Sequence, residues 1–159
     1  MQYSYVGLQS RMKKLLTILV LSLFLNGNAY SLNFTQKLSD YMEPNLSVTS
    51  LIYVLNRCTG ILTYNSIMIF KENADAGLYY NQMSSDMMNL ASKFYAKHNN
   101  VSLNEALKVN SKRMMQLDEY YRQDANEMFL KNGMYLVGIV GADSIFCEAL
   151  HKDLKKDLL

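Results

Sequence analysis

The N-terminal region most constrains what this chain can fold into, because residues 12–31 (MKKLLTILVLSLFLNGNAYS) have the pattern of a secretory signal peptide. A basic start precedes an apolar run over residues 15–25, and the small residues Gly27 and Ala29 follow it. We therefore predict cleavage between Ala29 and Tyr30. The remaining chain is then expected to fold after export, in the periplasm or outside the cell.

Two lysines directly follow Met12, so we expect translation to start there. Residues 1–29 are interpreted as the signal peptide and residues 30–159 as a single helical domain. The apolar run of about 11 residues is well short of the ~20 that a membrane-spanning helix needs. The alternative is an uncleaved membrane anchor, which would have to lengthen the run by recruiting residues 29–32.

The charge of the exported part differs from that of the whole chain. Three of the 16 basic residues (Arg11, Lys13 and Lys14) lie in the signal region and all 14 acidic residues follow it, which leaves a net charge of about −1. This balance argues against nucleic acid, or a membrane after signal removal, as a partner. A length of 130 residues with one proline suits a compact domain with a single core.

The exported part contains two cysteines, Cys58 and Cys147, which lie 89 positions apart. An isolated pair in an exported chain predicts a disulfide. The alternative is two buried thiols. Chain-entropy estimates give a cross-link of this span a stabilising effect of about 4–5 kcal/mol.

Apolar spacing predicts a short lead-in helix over residues 32–42 and a long second helix that begins near Ser47 or Thr49 and extends towards Phe70. Gly60 falls inside the second helix, where it indicates a bend or a close contact with another helix. The apolar stripe of the second helix consists of Val48, Leu51, Ile52, Leu55, Cys58, Ile61 and Leu62.

A third amphipathic helix is predicted after the polar break at residues 71–77 and ends near Lys97. Ser102 and Glu105 have the spacing of a capping box, so a fourth helix begins there and ends at Asn132-Gly133. Charges of both signs on this fourth helix indicate a solvated face. These charged residues are Lys112, Arg113, Asp118, Glu119, Arg122 and Asp124.

The segment at residues 134–140 (MYLVGIV) fits a strand or a buried helix. Because the chain offers no second strand to pair with it, we assign it to the last helix, which continues through residues 142–159. The predicted fold is an all-α, four-helix up-and-down bundle preceded by the lead-in helix. Its disulfide would join the first and last long helices.

The sequence shows no recognisable catalytic or metal-binding pattern. The exported part has two histidines, His98 in a turn and His151 in a charged tail, and both are interpreted as surface residues. We find neither a nucleophile motif nor zinc or covalent haem spacing, and so predict no catalytic residue, metal site or cofactor. Non-covalent haem stays formally open, since it needs only axial ligands.

Methionine and tyrosine are abundant. Nine methionines lie in the exported part, where core packing is the main interpretation and a Cu(I) site the alternative. The pairs Tyr79-Tyr80 and Tyr120-Tyr121 place one ring towards the core and one towards the rim, which suits a contact surface for an unknown protein partner.

The early Arg57-Cys58 pair and the late Asp143-x-x-x-Cys147 pattern, together with the signal peptide, resemble small exported helical two-cysteine proteins of marine bacteria. The resemblance implies no activity and no functional residues. We expect a non-enzymatic binding or accessory protein that acts through its surface. A carrier of a small apolar ligand or soft metal and a membrane-tethered envelope protein are the alternatives.

Overall fold

The structure, a computed structural model, describes residues 36–41 and 47–157, and within these ranges all regular structure is helical. Four long helices and one short one pack together, which confirms the predicted all-α bundle. The helices are α1 (Leu38–Tyr41), α2 (Val48–Phe70), α3 (Ala74–Asn99), α4 (Leu103–Asn132) and α5 (Gly138–Asp157).

Successive long helices run in opposite directions, and α2 packs against all four other helices. Near its C-terminus, Ser66 donates a hydrogen bond to the backbone oxygen of Gly77 in the first turn of α3, at 2.9 Å. Asn65 donates to Ser144 near the start of α5, also at 2.9 Å. The α2–α3 and α4–α5 connections therefore lie at the same end of the bundle.

Local capping explains three helix ends, which belong to α2 and α4. Ser47 and Ser102 accept hydrogen bonds from the backbone of Ser50 and Glu105, at the starts of α2 and α4. Gly133 ends α4 in the left-handed conformation, with φ of 70°. These ends match the boundaries predicted from the sequence.

Two predicted boundaries were wrong. Helix α3 begins at Ala74, inside the predicted polar break, because the side chain of Asn73 caps it by accepting a hydrogen bond from the backbone of Ala76. Residues 134–137 belong neither to a helix nor to a strand, and α5 begins only at Gly138, whose φ is 63°. The left-handed conformations at Gly133 and Gly138 bracket this non-helical connection.

The lead-in helix is present as α1, but residues 32–35 and 42 of its predicted span lie outside the described residues. So do the predicted signal peptide and the cleavage site between Ala29 and Tyr30. In the part of the chain that the structure covers, no helix combines the length and the apolar character needed to cross a membrane.

The core lies along the inner face of α2. Met83 and Met87 are fully buried in it, but Met68, Met115 and Met134 are exposed, so core packing accounts for only some of the methionines. Gly60 makes the predicted close helix contact, because a methyl group there would lie 2.8 Å from Cβ of Leu117 on α4. This approach brings α2 and α4 together beside the sites described next.

Candidate functional site

Three polar side chains, Arg57, Tyr121 and Asp143, meet inside the core where α2, α4 and α5 converge, and all three are fully buried. Arg57 forms an ion pair with Asp143, and its Nε donates a hydrogen bond to the Tyr121 hydroxyl at 3.0 Å. The Tyr121 hydroxyl in turn donates to Oδ2 of Asp143 at 2.6 Å. We call these residues the buried triad; each of them binds the other two.

The surroundings of the triad raise the pKa of both Arg57 and Tyr121, so both side chains keep their protons. Burial opposes the charge of Arg57, but Tyr121 and Asp143 outweigh it and leave the pKa of Arg57 raised. Burial is the main cause that raises the pKa of Tyr121 well above its ordinary value, although Arg57 opposes it. Neither group exchanges a proton near neutral pH, which general acid–base catalysis would need.

The triad also holds the chain that leads into α1. Arg57 donates from Nη1 to the backbone oxygen of Gln36 at 2.7 Å, and the backbone N–H of Leu38 donates to Oδ1 of Asp143 at 2.8 Å. Leu38 itself is fully buried. Because the polar atoms of the triad bind one another and this backbone, the triad serves as a clamp for residues 36–38 rather than as a site open to a substrate.

The predicted disulfide forms between Cys58 on α2 and Cys147 on α5, with a Cα–Cα distance of 5.3 Å. Both sulfurs lie in the core. Cys58 follows Arg57 in the chain, and Asp143 lies one helical turn before Cys147. The two sequence patterns that contain these residues therefore meet in space, and an ionic and a covalent link join α2 to α5 side by side.

The interpretation of His151 as a surface residue was wrong. Its side chain is 3% exposed, and its Nε2 lies 2.8 Å from Oδ2 of Asp86 on α3. α5 remains helical through the charged tail, which turns His151 inwards. His98 is exposed as expected, although α3 includes it in its last turn.

An open cleft of about 450 Å³ lies between α2, α3 and α4. It is beside the N-terminal half of α2, at the opposite end of the bundle from the connections at residues 71–73 and 133–137. The buried side chains of Ile52, Asn56 and Leu117 form its floor, and Tyr53 and Tyr95 form half-buried walls. The exposed residues of its rim are Thr49, His98, Asn99, Arg113 and Gln116. The volume falls within the range of small-molecule sites.

A chain of buried amides lies under the floor of the cleft. Asn56 donates from Nδ2 to Oδ1 of Asn110 at 3.0 Å, and Asn110 donates from Nδ2 to the hydroxyl of Ser92 at 3.1 Å. Oδ1 of Asn56 accepts no hydrogen bond from any residue that the structure describes, although Asn56 is 1% exposed. An unmet buried acceptor costs about 1–3 kcal/mol.

Arg113 provides positive charge at the rim. Its guanidinium carbon lies 5.0 Å from the ring centroid of Tyr95, a cation–π geometry. None of the ion pairs among residues 36–41 and 47–157 uses Arg113, and no carboxylate is among the described residues that line the cleft. Sequence reasoning placed Arg113 on a solvated face and did not connect it with a site.

The described residues bring together no group of three histidine, cysteine or acidic side chains that could hold a metal ion. The cleft was not predicted from the sequence. One signal pointed to it: Asn56 follows Ile52 by four residues and so lies on an apolar face of α2, where a buried amide needs partners.

No protein-family model, curated protein or solved structure matches this chain.

Proposed function

We propose that this chain is an exported, non-enzymatic binding protein that holds a small organic molecule in the cleft between α2, α3 and α4. The observation that carries the proposal is the open cleft of about 450 Å³ itself, with Ile52 and Leu117 in its floor, Tyr53 and Tyr95 as its walls and Arg113 at its rim. Apolar walls, a few polar groups and an open mouth are the usual composition of a ligand site. The buried triad is closed to ligands, so it supports the bundle instead.

Binding can be tested with a fragment library, observed by NMR on the isotopically labelled, oxidised protein. Fragments should shift the methyl signals of Ile52 and Leu117 in the floor. Gln116→Trp places a large ring at the rim and should abolish these shifts. Gln123→Trp, on the exposed surface of α4 outside the cleft, is the matched control and should leave them intact. Fragments that bind equally to both variants would contradict the proposal.

Export is supported by the predicted signal peptide together with the disulfide between Cys58 and Cys147. The test is the intact mass of the protein purified from the envelope fraction of its host, with and without reduction and alkylation. A mass that starts at Tyr30 and takes up label only after reduction is expected. A mass that retains residues from Met12, with two reactive thiols, would contradict it and favour the tethered alternative.

A second candidate function is binding of a protein partner through the end of the bundle where α2 meets α3 and α4 meets α5. Large apolar side chains are exposed there, with Leu130 85% exposed and Ile145 72%. The exposed set is Ile67, Met68, Phe70, Leu78, Tyr79, Phe129, Leu130, Met134, Leu136 and Ile145. Large apolar side chains exposed at one end of a bundle are a feature of interaction sites.

A photo-crosslinking amino acid at position 130 tests this candidate inside the host. It should trap one defined partner, whereas the same group at exposed Lys112 should trap none. Equal labelling from both positions would mean that the apolar end is not a specific contact.

A further inference from the structure

We propose that the disulfide between Cys58 and Cys147 makes the clamp on residues 36–38 sensitive to redox state. The oxidised protein holds this segment, and the reduced protein releases it while the four long helices stay packed. This inference goes beyond the proposed binding function and does not depend on the cleft. Three structural relationships support it.

The first relationship is the position of the disulfide beside the ion pair of the clamp. Cys58 directly follows Arg57 on α2, and Asp143 lies one helical turn before Cys147 on α5. The Cα atoms of the two cysteines are 5.3 Å apart, and all four side chains are fully buried. A change in the separation of α2 and α5 at the disulfide therefore acts directly on the ion pair.

Reduction makes such a change. A dithiol supplies two electrons and two protons, so that the S–S bond breaks, Cys58 and Cys147 become thiols, and the dithiol is oxidised to a disulfide. Non-bonded carbon atoms need about 3.5–4 Å between their centres, and sulfur is larger, so two thiols occupy more room than a disulfide. In a close-packed core, we expect the extra room to come from a shift of α5 relative to α2.

The second relationship is the small number of contacts that hold the clamped segment. Among residues 36–40, Leu38 alone is buried. Arg57 on α2 donates to the backbone oxygen of Gln36 at 2.7 Å, and Asp143 on α5 accepts from the backbone N–H of Leu38 at 2.8 Å. Because the two bonds come from different helices, a shift of α5 relative to α2 disturbs at least one of them.

The third relationship is the set of contacts that α5 keeps without the disulfide. Tyr80 on α3 donates a hydrogen bond to Glu148 at 2.6 Å, and His151 lies 2.8 Å from Asp86 on the same helix. Leu150 is buried between these two contacts. Reduction is therefore expected to open the weakly held segment first and to leave α5 in place, as in other local openings of folded proteins.

The burial of the disulfide determines which conditions open the clamp. Both cysteines are fully buried, so a dithiol reaches them only during a transient opening of the core. In the oxidising compartment to which export would take the chain, the clamp stays closed. Sustained exposure to a dithiol is needed to release residues 36–38.

Limited proteolysis with trypsin distinguishes the two states. Lys37 is exposed, and it lies between the two clamped backbone groups. The protein is reduced with dithiothreitol until two thiols react with a label in a test sample, and the reductant is removed before trypsin is added. Cleavage after Lys37, measured by mass spectrometry, should then be about tenfold faster or more, because a protease cuts a segment that is locally free.

Arg57 provides the internal control for this experiment. It is fully buried within α2, so cleavage after Arg57 requires unfolding of the bundle and should stay slow in both states. Equal rates of cleavage after Lys37 in the two states would overturn the proposal. So would a parallel acceleration after Lys37 and Arg57, because the bundle as a whole would then have unfolded.

Two variants assign the effect to the clamp. Asp143→Asn weakens the clamp and keeps the disulfide, so its oxidised form should be cleaved after Lys37 nearly as fast as the reduced parent, with little further acceleration on reduction. Glu148→Gln makes the equivalent change elsewhere on α5 and should keep the redox dependence of the parent. Retained dependence in Asp143→Asn, or lost dependence in Glu148→Gln, would overturn the assignment.

Hydrogen exchange on the parent chain gives an answer without any substitution, and it decides the question if Asp143→Asn does not fold. On reduction, the Leu38 amide should exchange about tenfold faster or more, whereas the amide of the fully buried Ala91 on α3 should keep its protection. Unchanged exchange at Leu38 would show that the disulfide does not control the clamp. Equal loss of protection at Leu38 and Ala91 would show global unfolding, which also overturns the proposal.

Discussion

Arg57 and Asp143 form a fully buried ion pair between α2 and α5, directly beside the disulfide that joins the same two helices. The pair also binds the backbone on both sides of Lys37. Arg57 donates to the backbone oxygen of Gln36, and Asp143 accepts from the backbone N–H of Leu38. One cluster thus joins the start of the described chain, the first long helix and the last helix. The outcome of several substitutions follows from this arrangement.

Asp143→Asn should lower the free energy of unfolding by about 3–5 kcal/mol, because it leaves the charge of Arg57 buried without a counterion. Urea unfolding followed by circular dichroism measures this loss. Tyr121→Phe is the milder variant. Removing the hydroxyl should cost about 1–3 kcal/mol, because Arg57 and Asp143 each lose one hydrogen bond. In native-state hydrogen exchange, Asp143→Asn should also reduce protection of the Leu38 amide.

The matched control for the ion pair is Arg122→Gln, which breaks an exposed pair with Asp118 at 2.7 Å. Surface pairs of this kind contribute about 1 kcal/mol or less. Equal stability of Asp143→Asn and Arg122→Gln would show that the buried triad does not stabilise the fold.

Replacing both Cys58 and Cys147 by serine should cost about 2–5 kcal/mol, since the unfolded chain regains the freedom of a long loop. Because the disulfide and the ion pair join the same helices, their effects should not add. Loosening α5 by removing the disulfide weakens the ion pair, so Asp143→Asn should cost at least about 0.5 kcal/mol less in the serine background. A double-mutant cycle in urea measures this coupling, and strict additivity would contradict it.

Most of the fold could be predicted because its signals are local. The caps Ser47 and Ser102 and the left-handed Gly133 act within one turn of chain, and apolar spacing identifies the buried face of each helix. The non-helical connection before Gly138 was missed, because an apolar run of this length fits helix and strand alike.

The candidate site could not be predicted, because its residues come from different helices. Asn56, Tyr95 and Arg113 meet only through the rotation and crossing of α2, α3 and α4. The burial of His151 likewise depends on Asp86, which lies 65 positions earlier. Spacing within one helix identifies a face, but not the side chain that the face will meet.

The burial of Tyr80 makes the stability of the protein depend on pH in the alkaline range. Its hydroxyl donates to Oε1 of Glu148 at 2.6 Å, and burial, with help from Glu148, raises the pKa of Tyr80 to about 12. The folded chain therefore keeps this proton in a range where the unfolded chain loses it. The stabilising effect is complete below about pH 10 and is lost as the pH rises towards 12.

Thermal unfolding between pH 9 and 12 tests this dependence. Tyr80→Phe should be less stable than the parent chain at pH 9 and should show a smaller loss of Tm as the pH rises. Tyr79→Phe, at the exposed neighbouring ring, is the control and should keep the slope of the parent. If Tyr80→Phe left the change of Tm with pH the same as in the parent chain, another group would cause the loss of stability at alkaline pH.

Gly60→Ala should destabilise the bundle, although alanine is the better helix former by about 1 kcal/mol. The added methyl group would lie 2.8 Å from Cβ of Leu117, too close for the two backbones to stay in place. Overpacking of this kind costs about 1–3 kcal/mol, so the two effects give a net loss of up to about 2 kcal/mol. Urea unfolding measures it, with Ser85→Ala on the exposed face of α3 as the control for propensity alone. If Gly60→Ala were the more stable of the two variants, α2 and α4 would not be held at the distance that positions Leu117 in the floor of the cleft.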